Sequence, residues 1–380
     1  MKILIAISDS FCANFIKGQG QFLSDNGHEV IIVSGPGKEI DDLAKNESVK
    51  VVKIPFSREI SLKNDFKSLI EVIKLVKTIK PDVVNAGNPK TGLLFSLAHL
   101  FYWKTPLIFT LRGIRSDTLL GFKKSIVKVM EKITVVFANK VIAISPSLRQ
   151  HAIDIGMVNK NKIVVLSKGS SNGLSVEKFT INDEINSKAL ALRADYMIPD
   201  AKFYLLYVGR VTKDKGLKEV FDALNICWKN GANIQFIIAG PIEKDDPLPE
   251  EYYKMLETNE NITYLGKQLD VRPVYAIGDA LVLYSYREGF GNVVIEASSM
   301  KLPTIVADIP GLRDTTENGV TGLIINPRNS YKLSEGIMKL YNNRSLSIKM
   351  GLNGRKRVEQ YFRNEIVWSM QLELYKKLCK

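Results

Sequence analysis

Twelve short apolar runs, most of them set apart by stretches of helical periodicity, leave this chain few folds to choose from. Seven lie at Lys2 to Ile7, Glu29 to Ser34, Val49 to Ile54, Asp82 to Asn85, Pro106 to Thr110, Lys140 to Ile144 and Lys162 to Leu166. Strands that alternate with helices pack as a parallel sheet covered on both faces, and they read as near-continuous apolar runs because water reaches neither side. The alternation resumes at Phe203 to Val208, Ile234 to Ala239, Ile262 to Leu265, Ala280 to Tyr284 and Pro303 to Ala307. Between the two series, Lys168 to Asp200 changes character: Gly169-Ser-Ser-Asn-Gly173 precedes a polar helical stretch and Ile198-Pro-Asp, which reads as an interdomain connection. A chain of 380 residues suits two such domains better than one core.

In a parallel sheet, ligands bind beyond the carboxyl ends of the strands, so the loops that follow the strands carry the chemistry. The run Ala280 to Tyr284 leads into Ser-Tyr-Arg-Glu288-Gly289-Phe290-Gly291 and then into helical residues, Asn292 to Met300. Strand, glycine loop and helix outline an anion site: glycine lets backbone approach a ligand closely, and the first helical turn offers unpaired N–H groups at the positive end of the dipole. Two carboxylates, Glu288 and Glu296, bracket this loop. Beside a phosphate they repel unless they have other work, and carboxylates accept hydrogen bonds from hydroxyls. A ligand with phosphates between two polyhydroxylated rings satisfies both, and a nucleotide sugar is such a ligand. A second loop, Gly209-Arg210-Val-Thr-Lys-Asp-Lys215-Gly216, follows the run Phe203 to Val208. There Arg210 offers a fork of donors and Lys215 a point charge. The loops Gly240-Pro241 and Gly266-Lys-Gln268 present backbone against which a base can lie.

The first half has three such loops. Phe15-Ile-Lys-Gly18-Gln-Gly20 lacks the third glycine of the dinucleotide fingerprint and comes too late after its strand. In Asn85-Ala-Gly-Asn88-Pro89-Lys90, Asn88 can cap and Pro89 can start a helix, and Lys90 adds a cation to its positive end. Thr110-Leu-Arg112-Gly-Ile-Arg115 supplies two more cations.

The spacing Glu288-x7-Glu296, with Glu-Gly-Phe-Gly in its first half, together with Gly209-Arg210 and Lys215-Gly216, resembles the retaining glycosyltransferases of family 4. The match is specific over roughly residues 205 to 330 and looser before that. The resemblance implies an α/β chain of GT-B fold: two Rossmann-like parallel-sheet domains facing a central cleft, at residues 1–175 and 195–357, with a C-terminal helix, residues 358–380, crossing back to the first. It implies a UDP-sugar donor held by Arg210 and Lys215 at the diphosphate, Glu288 at the sugar and Glu296 at the ribose. The amides of Gly289, Phe290, Gly291 and Asn292 serve the sugar hydroxyls or phosphate, with Gly266 and Gln268 near the base. Family members place a glycine near Gly18 against the donor phosphates; a helix-packing role for Gly18 is the alternative. Many relatives carry a catalytic histidine where this chain has Arg112, so Arg112 is a candidate either for the leaving group or, with Lys90 and Arg115, for the acceptor. His28, His99 and His151 fall in helix or turn patterns, which argues against histidine catalysis. The Glu288 loop is most similar to enzymes of bacterial capsule or O-antigen assembly. The implied reaction transfers an N-acetylated or deoxyamino hexose to a polyprenyl diphosphate-linked saccharide. Glu288, Arg210, Lys215 and Arg112 are the catalytic candidates.

Charge is uneven. Residues 1 to 180 hold 26 Lys and Arg against 15 Asp and Glu, and residues 181 to 380 hold 27 against 25. A basic first half suits an anionic membrane surface, nucleic acid or a phosphorylated substrate. The pattern Leu119 to Ala138 places Ile126, Val127, Val129, Met130 and Ile133 on one side and Lys124, Lys128 and Lys132 on another; it reads as a core-packed helix with a solvated lysine face, or as a membrane contact. Trp103, with Phe101, Tyr102 and Lys104, is a second interfacial contact or a buried cluster. No segment approaches the roughly 20 apolar residues of a membrane span. Three scattered cysteines point to a reducing compartment, the cytoplasm; the basic first half and the resemblance together add the expectation of a place peripheral to the inner membrane face. No cofactor or metal is expected, since Asp41-Asp42 and Asp245-Asp246 sit in turn contexts. A sugar-nucleotide 2-epimerase, which shares the architecture, needs acid and base groups around the sugar. A nucleic-acid binder fits the pI of 9.4, but requires basic residues interleaved with aromatics on one face; here they are dispersed, so no nucleic-acid partner is expected.

Overall fold

The computed structural model describes residues 1–57 and 61–379. The chain forms two compact units, Met1–Gly173 joined by the stretch from Asn364 onward, and Leu174–Arg363. In the first unit, β1 (Lys2–Ala6), β2 (Glu29–Ser34), β3 (Lys50–Lys53), β4 (Val83–Ala86), β5 (Leu107–Leu111), β6 (Lys140–Ala143) and β7 (Ile163–Val165) form one parallel sheet. Their order is β3-β2-β1-β4-β5-β6-β7. Central β1 aligns Ile3 with Val30 on one side and Val83 on the other, and Ile3, Leu4, Val83 and Val84 are fully buried. Each such side chain contributes about 1.5–3 kcal/mol on leaving water, which is why the apolar runs end up as strands. All seven runs expected in this half are strands, with ends that move by no more than one residue.

The second unit repeats the plan with six strands: β8 (Phe203–Val208), β9 (Ile234–Ala239), β10 (Ile262–Tyr264), β11 (Ala280–Leu283), β12 (Thr304–Ala307) and β13 (Gly322–Ile325). They run parallel in the order β10-β9-β8-β11-β12-β13. β13 had no apolar run long enough to announce it. The stretch read as an interdomain connection is mostly part of this unit from Leu174 on. Within it, Asn182 caps the helix Asp183–Asp195 by accepting from the Ile185 N–H at 2.9 Å.

The last helix, Asn364–Leu378, belongs to the first unit. It starts six residues later than expected because the preceding helix, Arg344–Tyr361, stays in the second unit. Val367, Leu372 and Tyr375 join the first unit's core. The Trp368 indole donates to Asn172 Oδ1 at 2.7 Å. The Tyr375 hydroxyl accepts from Asn85 Nδ2 at 2.7 Å, and Asn85 Oδ1 accepts from Thr110 Oγ1 at 2.9 Å. Burial pushes the Tyr375 phenol up to about 12, so it keeps its proton. A helix remote in sequence thus fixes the ends of β4 and β5.

The helix Gly121–Phe137 reverses one expectation. Its core face is Glu131, Thr134 and Val135, which are buried, whereas Ile126 and Val129, read as core, are exposed. Trp103 and Phe101 are exposed as well, while the Tyr102 hydroxyl donates to the Phe95 carbonyl at 2.7 Å.

Tyr375→Phe removes a bond whose loss strands the buried Asn85 amide, at a cost of about 1–3 kcal/mol. Thermal unfolding should show a lower midpoint for the first unit with activity retained at low temperature. An unchanged midpoint would show that this network does not hold the helix.

Candidate functional site

From β8 the second sheet grows through β9 to β10 on one side, and from β11 through β12 to β13 on the other. Strand order therefore reverses between β8 and β11, and loops leaving the two diverge to open a crevice at their carboxyl ends. The loops are Gly209–Gly216 and Ser285–Gly291, the two singled out in the sequence.

The first loop turns through Lys213–Lys215 and closes on Gly216, whose φ of +67° is left-handed. A Cβ there would lie 2.1 Å from the Tyr284 carbonyl oxygen, so only glycine fits. This tight turn aims Lys215 at the second loop, where its Nζ forms an ion pair with Glu288. The two side chains are only 13% and 20% exposed, so the pair is held away from bulk water. Two further contacts tie the loops, the Tyr286 N–H donating to the Asp214 carbonyl at 2.9 Å and Arg287 meeting the Asp214 carboxylate at 3.3 Å, and the Tyr286 hydroxyl donates at 2.6 Å to buried Glu219 on the helix Leu217–Lys229 that follows the first loop. Burial works to raise the Asp214 carboxyl, but the Thr212 hydroxyl and the charges of Lys215 and Arg287 hold it below the usual range. Asp214, Glu219 and Tyr286 were missed in the sequence; the place of Tyr286 two residues before Glu288 was the available signal.

Arg210 leaves the same loop in another direction and pairs with Glu243 at 2.6 Å. Its side chain is 49% exposed, and surface pairs are worth about 0–1 kcal/mol, so an incoming anion can take the guanidinium over. Beyond Glu288, Gly291 adopts φ +71° and no side chain caps the helix Asn292–Ser299. The Val294 N–H turns back to the Gly291 carbonyl at 3.0 Å, which leaves the Asn292 and Val293 N–H groups at the helix start for a ligand. Glu296 sits one turn in and accepts from the Tyr275 hydroxyl at 2.8 Å. Burial pushes its carboxyl above the usual range, against that hydrogen bond. The Phe290 ring is buried edge-on against Phe362, with centroids 5.4 Å apart, so this residue has only its backbone to offer a ligand. Gly266 lies two strands from β8 with open space around its Cα. The Gln268 amide is engaged by its own loop, donating to the Leu265 carbonyl at 2.7 Å.

In the first unit the expected site residues are differently occupied. The Gly18 N–H donates to Glu47 at 2.6 Å, and the Gln21 N–H to the other oxygen of that carboxylate at 3.2 Å. The start of the helix Gln19–Asp25 thus already holds an anion of the chain itself. A Cβ on Gly18 would strike the Trp368 ring at 2.7 Å. The packing alternative for Gly18 is the one the geometry favours. Lys90 is in an ion pair with Asp65 at 2.7 Å, with side chains 11% and 18% exposed, rather than held out as a free cation. Arg115 is exposed. Arg112 donates to the Gly87 carbonyl and lies over the Phe15 ring, 5.5 Å from its centroid. Its Nε has no partner among the described residues. Burial pushes the guanidinium down to about 10, which leaves it charged at neutral pH. Of the histidines, His151 reaches one of these loops, pairing with Asp117 at 2.7 Å. Among the described residues no group of three or more His, Cys, Asp or Glu is placed to hold a metal ion. Nor is any helix among them long and apolar enough to cross a membrane.

Comparison with known proteins matches residues 13–170 to the model of Glycosyltransferase Family 4 and residues 190–357 to that of glycosyl transferases group 1. The chain is similar to the capsular polysaccharide biosynthesis glycosyltransferase CapM of Staphylococcus aureus, at 37% identity over 100% of this chain and 98% of the relative. It is similar at 27% identity to the N,N'-diacetylbacillosaminyl-diphospho-undecaprenol alpha-1,3-N-acetylgalactosaminyltransferase of Campylobacter jejuni, covering 94% of this chain and 93% of the relative. Among solved structures, a glycosyltransferase from Rickettsia africae superposes with a TM-score of 0.82 at 22% identity, covering 100% of this chain and 98% of the other. Anabaena HepE in complex with UDP and glucose superposes with a TM-score of 0.82 at 18% identity, covering 99% and 100%. The two-sheet architecture is thus the GT-B fold.

Gly216→Ala forces a left-handed backbone that costs about 1–2 kcal/mol for an L-residue, before the clash with Tyr284 is counted. The variant should unfold at lower temperature, and ligand affinity at the Lys215–Glu288 crevice should fall with it. Wild-type values of both would show that the turn tolerates a side chain.

Proposed function

This chain belongs to the glycosyltransferase family, and from that premise we propose that it is a retaining enzyme that moves a hexose from a UDP-sugar to a lipid-diphosphate-linked saccharide. The observation that carries the reading is the Lys215–Glu288 pair beside an uncapped helix start. A cation, a carboxylate and free N–H groups in one crevice match a diphosphate joined to a hydroxyl-rich ring. Arg210 and Lys215 neutralise the diphosphate without a metal ion, the amides from Gly289 to Asn292 meet phosphate or sugar, and Glu288 accepts from sugar hydroxyls. Glu296, held by Tyr275, takes the ribose. The bond from the anomeric carbon to the phosphate breaks as the acceptor oxygen bonds to the same face. The departing phosphate takes the acceptor's proton, and the enzyme's contribution is stabilisation of the charge on UDP. Of the relatives named above, CapM supports capsule assembly as the setting, and the Campylobacter enzyme supports an N-acetylated hexose as the sugar and a polyprenyl diphosphate as the acceptor anchor; assembly of O-antigen and a deoxyamino hexose belong to the same proposal. A basic first unit suits work at the inner face of the membrane.

Glu288→Ala and Glu296→Ala should each lower kcat/KM for transfer by about 10- to 100-fold, the worth of a hydrogen bond to a charged group. Because Glu288 also neutralises Lys215, Glu288→Ala should bind UDP no more weakly than wild type while losing affinity for the UDP-sugar. Lys215→Ala and Arg210→Ala should weaken both. Calorimetric titration separates these patterns, and equal losses for both ligands in the Glu288 variant would contradict the division of roles. Transfer should also persist in EDTA; loss restored by magnesium would put a metal at the diphosphate.

A further inference from the structure

Two arginines beside the crevice hold guanidinium groups that the protein itself leaves largely unused. Arg287 precedes Glu288 on the β11 loop and touches Asp214 through Nε alone, at 3.3 Å. Its two terminal amino groups have no partner among the described residues, and its side chain is 56% exposed. Asp214 does not depend on it: the Thr212 hydroxyl donates to Asp214 Oδ1 at 2.6 Å, and the charge of Lys215 acts on the same carboxylate. Arg328 sits in the loop after β13, exposed and in a left-handed backbone, φ +59°, that side chains seldom adopt. Its guanidinium lies over the Tyr286 ring, 5.0 Å from the centroid, and makes no hydrogen bond to the described residues.

Both arginines belong to one anchored side chain, Arg287 as the chain neighbour of Tyr286 and Arg328 as the partner of its ring. The Tyr286 N–H is held by the Asp214 carbonyl, and its hydroxyl reaches both oxygens of buried Glu219, at 2.6 and 2.7 Å. The loop that carries Arg328 is tied as well, the Asn329 N–H donating to the Tyr284 hydroxyl at 3.3 Å. A guanidinium stacked on an aromatic face keeps its rim of N–H donors free for an anion, and two such forks match the two phosphates of a diphosphate. Strand order says which diphosphate. The proposed donor lies along the carboxyl edge of the second sheet, with its base at the β9 and β10 loops, its diphosphate at β8 and its sugar at β11. UDP leaves open the part of that edge formed by β12 and β13, and the acceptor can approach the sugar from there. In the first unit, Lys90 and Arg112, expected to serve the acceptor, are engaged by Asp65 and by the Gly87 carbonyl.

We propose that Arg287 and Arg328 form a second anion site, separate from Arg210 and Lys215, that receives the diphosphate of the lipid-linked acceptor. The identity of the ligand rests on the reaction proposed above; the anion site itself rests on the two guanidinium groups.

The test uses the full chain saturated with UDP, and inorganic pyrophosphate as the probe. Calorimetric titration should show pyrophosphate binding to the UDP complex, and the double variant Arg287→Gln, Arg328→Gln should weaken it at least about tenfold, the worth of a hydrogen bond from a charged group. Arg328→Gln alone, which breaks no hydrogen bond among the described residues, should weaken it as well and keep wild-type UDP affinity. With a diphosphate-linked saccharide on a short prenyl chain as acceptor, Arg328→Gln should raise KM and leave kcat unchanged; with the same saccharide as an alkyl glycoside it should match wild type. Equal pyrophosphate affinity in the double variant and wild type would overturn the proposal. So would pyrophosphate that binds only by displacing UDP, or a KM that rises alike for both acceptors. Pyrophosphate binding that depends on both arginines in a chain that does not bind UDP would support the anion site and defeat the donor reading alone.

Discussion

The pairing of β8 with β11 is the constraint on which the rest of the second unit depends. Adjacent parallel strands whose chains then wind away in opposite directions cannot cover the gap between their own loops. Everything placed at that gap follows: a glycine turn that no other residue can make, a lysine driven towards the neighbouring loop, and a helix whose first N–H groups remain uncapped. The apolar strands contribute the stability, and the loops draw on it to hold Lys215 and Glu288 together.

The charges of the crevice are balanced before a ligand arrives. Lys215 faces Glu288, Arg210 faces Glu243 and Arg287 faces Asp214. Under the proposed function a diphosphate has to compete with carboxylates for its cations, and the competition is uneven. The Arg210 pair is half exposed and weak, whereas the Lys215 pair is sheltered and reinforced through Tyr286 and Glu219. In the proposed function, a carboxylate displaced from Lys215 is already placed to accept from a sugar hydroxyl, which would account for an acid beside the diphosphate.

Much of this was legible in the sequence because it is local. Apolar runs mark buried parallel strands, and the spacing from Glu288 to Glu296 is fixed by one loop and one helical turn. What escaped depends on distant partners. For Gly18 the phosphate and packing readings could not be told apart until Trp368, some 350 residues on, was seen against it. Lys90 looked like a free cation until Asp65 appeared beside it. The helix Gly121–Phe137 left two readings open, and the core-packed one fails for Ile126 and Val129: its core face uses the buried Glu131 to accept backbone N–H groups and Thr134 to approach the neighbouring helix. Periodicity reports that a helix has a face; it does not report which face meets protein.

The central claim is that the crevice between the β8 and β11 loops holds the diphosphate and the sugar. Hydrogen–deuterium exchange of the whole chain with and without UDP tests it most directly. Ligand seated on the uncapped helix start slows exchange of the amides from Gly289 to Val293 and of the turn from Arg210 to Gly216. The account predicts protection concentrated in those two segments, and deeper in the first when the sugar is attached. Protection confined to the first unit, with these amides exchanging as in the free protein, would contradict it.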